Sequence, residues 1–174
     1  AMVYLGGNVL VLGTKADGSA WRVAVQDPED PSAYAGILTL TDAFAVTSGG
    51  YQRYFEENGV RYQHILDPKT GYPAESGLTS VTVVAAANGP DYDSETPAPG
   101  SGAMCDAFST ALFVLGEEKA LDFWRTSGYD FELVLVTEDG RVLVTEGLAD
   151  RFEQTEGSAY RYELIPRADE ARPG

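Results

Sequence analysis

The feature that most constrains this fold is a change of hydrophobic period part-way along the chain. Leu78-Thr-Ser-Val-Thr-Val-Val-Ala-Ala86 is β-branched and apolar over a strand's length, and reads as a central strand. From Met104 onward the apolar spacing becomes helical: Ala107, Ala111, Leu112 and Leu115 mark one face and Phe108 widens it. Gly116 is placed to stop that helix, and Glu117–Ser127 reads as a second one ending at Gly128. Strands and helices are segregated more than alternated, with no internal repeat, which predicts an α+β fold built on a largely antiparallel sheet.

The flanking segments supply the other strands. Val3–Gly13 reads as one buried strand in which Gly6-Gly7 permits a close approach of backbone or ligand. Lys15–Ser19 carries the turn signal Asp17-Gly18 and leads into a strand over 21–25. An exposed connection over 27–34 precedes strands over 36–40 and 43–47, joined tightly at Thr41-Asp42. Ser48-Gly49-Gly50 is expected to interrupt the sheet, as a β-bulge or as a backbone nest for an anion, before a strand over 51–56.

Asn58-Gly59 is the strongest short hairpin signal in the chain, and it pairs 51–56 with 60–65. That pairing should bring Ser48-Gly49-Gly50 to the side of His64, the only histidine. Residues 88–102, rich in proline, glycine and acids, read as a flexible surface loop. A hairpin over 131–145 turns at Glu138-Asp-Gly140, and a last strand is expected over 160–165. By size the chain is one domain over 1–166, with 167–174 a frayed tail.

Composition excludes several functions. Twelve basic against 27 acidic residues leave a net charge of −15, which repels nucleic acid and anionic membrane surfaces. No apolar run is long enough to span a bilayer. The single cysteine, Cys105, allows neither an internal disulfide nor a two-thiol metal site, and reads as a small buried hydrophobe rather than a nucleophile. A phosphate ligand on so acidic a chain needs local donors or a metal cation.

Asp106 and Thr110, four residues apart at the expected head of the first helix, share a face. A carboxylate and a hydroxyl there suit a hard cation such as Mg²⁺, and the same helix end can receive phosphate; equally, Asp106 simply caps the helix. His64 is either a titratable catalytic group at the mouth of the Asp67–Pro73 turn or a surface residue. Asn8 either bonds a ligand or ties down its own turn, and Tyr51, Tyr54 and Tyr62 are explained by packing across the hairpin.

Four blocks, in order, carry a resemblance. They are Leu5-Gly-Gly-Asn-Val9, Thr47-Ser-Gly-Gly-Tyr-Gln-Arg-Tyr-Phe55, His64-Ile-Leu-Asp-Pro-Lys-Thr-Gly-Tyr-Pro73 and Asp106-Ala-Phe-Ser-Thr-Ala-Leu-Phe-Val-Leu-Gly116. Together they resemble the ApbE family of FAD:protein FMN transferases, over roughly residues 3–146. The resemblance implies FAD as substrate, Mg²⁺ as metal, and transfer of FMN to a threonine hydroxyl of a target protein with release of AMP. Targets in the family are subunits of membrane redox complexes such as sodium-translocating NADH:quinone reductase.

The residue roles come with the resemblance. Asp106 and Thr110 match the metal-ligand motif, and His64 matches the base for the acceptor hydroxyl. Gly7, Asn8, Ser48, Gly49, Tyr51, Asp67 and Thr70 fall in blocks that shape the flavin pocket. The family's N-terminal half, with its Lys-Gly motif, has no counterpart, so the chain is expected to be a C-terminal portion of a longer enzyme. Two alternatives accompany this reading: an FAD pyrophosphatase releasing FMN and AMP, and a non-catalytic flavin-binding or partner-docking remnant. Relatives commonly work outside the cytoplasmic membrane, held there through the missing N-terminus, and the same location is expected here.

Overall fold

The computed structural model describes residues 1–51, 53–87 and 101–167. In chain order the first strands are β1 (Met2–Leu5), β2 (Asn8–Val11), β3 (Trp21–Gln26), β4 (Tyr34–Leu40) and β5 (Ala43–Gly49). A short ribbon, β6 (Tyr54–Glu57) and β7 (Val60–Gln63), precedes the long β8 (Leu78–Ala86). Helices α1 (Ser101–Leu115) and α2 (Glu117–Thr126) follow, then β9 (Glu132–Thr137), β10 (Arg141–Thr145), β11 (Phe152–Gln154) and β12 (Arg161–Ile165).

Seven strands form the main sheet in the order β1-β2-β5-β8-β9-β10-β12, with β8 in the middle as its composition predicts. Every pairing in it is antiparallel except β10 with β12. The fold is therefore α+β on a largely antiparallel sheet. Strand alternation divides its side chains between two cores. Val46, Val81, Val83, Leu133, Leu135 and Leu143 point to one face, where α1 and α2 pack through Cys105, Leu112, Phe113 and Trp124. Ala45, Val84, Val134, Val136 and Val142 point to the other, against Val23, Val25 and Leu38 of the three-stranded sheet β11-β4-β3. Trp124 is fully buried and its indole N–H donates to the Phe131 carbonyl at 2.9 Å, so its polar atom is satisfied inside the core.

Several sequence expectations give way to this arrangement. Val3–Gly13 is not one buried strand. Gly6 (φ 55°) and Gly7 (φ 98°) turn it into the β1–β2 hairpin, leaving β1 exposed along its whole length. The Asp17-Gly18 turn forms, but β2 and β3 that flank it lie in different sheets, as do β4 and β5 on either side of Thr41-Asp42. Ser48 and Gly49 do not interrupt the main sheet; they continue β5 opposite Val81 and Ser80. The strand after them starts only at Tyr54.

Helix α1 begins at Ser101, before the expected Met104. Gly102 is a weak helix former, but a Cβ there would lie 2.7 Å from the Phe44 ring, so packing on β5 selects glycine over helix propensity. The buried face is also rotated from expectation. Cys105, Ser109, Leu112 and Phe113 are buried, whereas Ala107, Ala111 and Leu115 are exposed. The rest of the expected surface loop, residues 88–100, and the tail after Arg167 lie outside the described residues.

Candidate active site

The site is built where α1 crosses the β2–β5 corner of the main sheet. Asn8 opens β2 opposite Val46, and Ser48 lies two positions further along β5, so both side chains project to the helix side. From α1, Asp106, Ser109 and Thr110 come down on them at helical spacings of three and four. The Asn8 amide donates to Asp106 Oδ1 at 3.3 Å. Ser48 Oγ lies 2.8 Å from Ser109 Oγ and 3.0 Å from Thr110 Oγ1.

The hydroxyls of this cluster share one backbone acceptor. Ser109 Oγ donates to the Asp106 carbonyl at 3.0 Å, which leaves it an acceptor for the Ser48 hydroxyl. Thr110 Oγ1 lies between Ser48 Oγ and the same Asp106 carbonyl, 3.4 Å away, and has one proton for the two. Its hydroxyl is therefore held between β5 and the preceding helical turn, on the residue one turn beyond Asp106. Both residues are exposed.

Asp106 is not in the first turn of α1, which contains no acid. It lies in the second turn, so it does not cap the helix, and the free N–H groups of the helix end are not its neighbours. A carboxylate and a hydroxyl are a hard, oxygen-only donor set, which fits Mg²⁺. Among the described residues no three His, Cys, Asp or Glu side chains converge.

His64 stands at the end of the β6–β7 ribbon. Asn58 (φ 52°) and Gly59 (φ 77°) form the expected turn, and Tyr54 pairs with Gln63, Phe55 with Tyr62. The ladder runs on for one step, since the His64 backbone N–H donates to the Arg53 carbonyl at 3.2 Å. The same carbonyl lies 3.1 Å from His64 Nδ1. That oxygen only accepts, so the contact calls for a proton on Nδ1, and in the neutral ring the lone pair is then on Nε2.

The ribbon is tied down at the end of β5, as the hairpin argument anticipates. The Gln63 carboxamide lies against Gly50, where a Cβ would be 2.1 Å from Oε1, and its N–H donates to the Ala74 carbonyl at 2.7 Å. No hydrogen bond among the described residues joins His64 to Asp106 or Thr110.

The remaining expected residues divide by role. Gly7 accepts the Thr47 N–H at 3.2 Å and holds the β1–β2 turn against β5. Gly49 is buried, with the Tyr51 ring occupying the space a Cβ would take. Asp67 and Thr70 shape the loop after His64. The Asp67 carboxylate accepts the Lys69 N–H, Thr70 Oγ1 accepts the Tyr72 N–H, and the Asp67 carbonyl accepts the Gly71 N–H.

Sequence reasoning did not single out Ser109 or Gln63. Ser109 is fully buried and bridges Ser48 to Asp106; its one signal is a serine three residues beyond an aspartate on a helix. A cavity of about 290 Å³ opens next to Gly50, Tyr51 and Gln63, floored by Leu78 and Phe113. Asp106, Thr110 and His64 do not line it, and among the described residues its walls hold carboxylates and no basic side chain, a lining unsuited to a bare diphosphate.

With this geometry in place, the comparison with known proteins is direct. The model of the ApbE family matches residues 1–135. The chain belongs to the ApbE family. It is 33% identical over 156 residues to the FAD:protein FMN transferase of Haemophilus influenzae, covering 88% of this chain and 41% of that protein. The Treponema pallidum FAD:protein FMN transferase is 37% identical over 161 residues, covering 87% and 40%.

Among solved structures, the ApbE protein of Thermotoga maritima superposes with a TM-score of 0.63 at 34% identity, over 90% of this chain and 42% of that one. The apo flavinyl transferase ApbE of Pseudomonas stutzeri gives 0.57 at 34% identity, over 88% and 40%. The described chain spans about two-fifths of the length of these ApbE relatives.

Proposed function

We propose that this ApbE chain carries the cation corner and the base of an Mg²⁺-dependent FAD:protein FMN transferase. The observation that carries the reading is the convergence of Asn8, Ser48, Asp106 and Thr110, from two strands and a helix, on one oxygen-rich corner. Asp106 and Thr110 would hold the ion. A bound Mg²⁺ would supply the positive charge that a diphosphate substrate needs and that this acidic chain lacks.

The reaction balances as a phosphoryl-centred displacement. The acceptor threonine Oγ attacks the phosphorus of the FMN half of FAD, and a new P–O bond forms as the bond to the bridging oxygen breaks. AMP departs with that oxygen and its electron pair. His64 Nε2, its lone pair left open by the Arg53 contact, takes the threonine proton. Asn8 and Ser48 orient Asp106 and Thr110, and Gly7, Gly49, Tyr51, Asp67 and Thr70 shape the flavin pocket around them. The target is a subunit of a redox complex outside the cytoplasmic membrane. No helix among the described residues is long and apolar enough to cross a membrane.

The test is to incubate the chain with FAD, Mg²⁺ and a polypeptide containing an acceptor threonine. Mass spectrometry should find FMN esterified to that threonine, with AMP in equal amount. Free FMN with AMP and no adduct would replace transfer by FAD hydrolysis. The two-fifths span of the relatives favours a second reading, a flavin-binding module whose turnover needs further polypeptide. FAD binding without either product would select it.

A further inference from the structure

The β6–β7 ribbon is a two-stranded sheet of its own, outside both larger sheets. A lone two-stranded ribbon is marginal in water, and this one carries an exposed aromatic surface. Phe55 is 61% exposed and stacks on its cross-strand partner Tyr62, with centroids 5.0 Å apart and rings 12° from parallel. Beyond Tyr62, Gln63 turns inward to Gly50 and Ala74, His64 is exposed, Ile65 is buried, and Leu66 is 52% exposed. Tyr62, His64 and Leu66 therefore alternate onto the outward face. The imidazole stands between an aromatic pair and an aliphatic side chain.

We infer that this outward face docks the acceptor polypeptide, with Phe55, Tyr62 and Leu66 contacting apolar side chains on either side of the acceptor threonine. The inference rests on the transfer reading above. An acceptor hydroxyl must come within about 3 Å of Nε2 to lose its proton. Same-face neighbours two positions along an extended chain lie about 7 Å away. Whatever flanks the acceptor hydroxyl thus falls on the aromatic pair or on Leu66. In-line displacement sets nucleophile and leaving group on opposite sides of the phosphorus, so the surface around the base belongs to the acceptor and not to AMP. Along β7 the base is flanked by Tyr62 and Leu66, with exposed Arg53 across the ribbon from it on the same face, and the apolar flanks fit an extended peptide with apolar side chains beside its threonine.

The experiment follows amide resonances of the ¹⁵N-labelled chain, without FAD, during titration with a capped heptapeptide whose central threonine is flanked by leucines. The expected result is shifts at Phe55, Tyr62, His64 and Leu66, with at least tenfold weaker binding by the Phe55→Ser variant. FAD affinity, read from flavin fluorescence, should be unchanged in that variant. Equal binding of an aspartate-flanked peptide, shifts confined to other residues, or undiminished binding by Phe55→Ser would overturn the inference. So would riboflavin alone moving the same resonances, which assigns the face to the flavin. Shifts that follow protein concentration alone assign it to a second copy of the chain, with the same consequence. The FMN-adduct assay stands apart from this binding measurement, so either reading can fail alone.

Discussion

Ser48 and Thr110, 62 positions apart in the chain, meet hydroxyl to hydroxyl at 3.0 Å. Ser48 therefore competes with the Asp106 carbonyl for the Thr110 hydroxyl. Ser48→Ala frees the Thr110 hydroxyl to settle on the Asp106 carbonyl, already 3.4 Å away. Mg²⁺ affinity, measured by titration calorimetry, should fall by about 10–100-fold, the usual cost of losing a group that orients a metal ligand. Stability should fall by only about 1 kcal/mol for the lost hydroxyl bonds.

Asp106→Ala removes the carboxylate that Asn8 contacts in the corner. Transfer should fall by about 100-fold or more, since the ion supplies several kcal/mol of charge stabilisation, and the residual rate should no longer respond to Mg²⁺. Rates measured across an Mg²⁺ series check this. A variant with the parent's rate and Mg²⁺ response would remove Asp106 from the site.

His64→Ala should lower turnover by about 10²–10⁴-fold, the range for loss of a general base, while FAD affinity stays the same. Single-turnover kinetics and flavin fluorescence separate the two effects. Equal loss of both would make the imidazole a binding or structural group.

Gly50→Ala should destabilise the protein by roughly 1–3 kcal/mol, because the new methyl would sit 2.1 Å from Gln63 Oε1. Adding Gln63→Ala should recover part of that cost, giving a coupling energy of about 0.5 kcal/mol or more in a double-mutant cycle by denaturant unfolding. Additive losses would show that the two residues do not share the contact.

Cys105 should be inert in the folded protein. Burial, then the neighbouring Asp106 charge, pushes its thiol up to about 12, so at about pH 8 only some 10⁻⁴ of it is thiolate. Ellman's reagent should react with it only after guanidinium unfolding, at one thiol per chain. Rapid reaction under native conditions would contradict its burial.

The parts of this protein readable from residue order are those governed by local chemistry. The Asn58-Gly59 turn needs left-handed backbone, which asparagine and glycine accept at low cost, and it forms as expected. The β-branched 78–86 run is the central strand, and Gly116 ends α1 with φ 81°. Tertiary contacts moved the rest. Gly102 reads as loop until Phe44 is seen in the place of its Cβ. Ser109 hides the apolar period of α1, because a serine can occupy the buried face when Ser48 is there to satisfy it.

By itself, then, the sequence determined the α+β class, the ribbon that carries His64, and the ApbE blocks with Asp106 and Thr110 four residues apart. Only the tertiary structure decided that Asp106 is no helix cap, that Asn8 and Ser48 complete its corner, and that His64 Nδ1 meets the Arg53 carbonyl. The physical reason is range. Turn and strand preferences act between neighbours in the chain, whereas a lone pair's direction is set by whichever partner the fold brings within 3 Å or so of it.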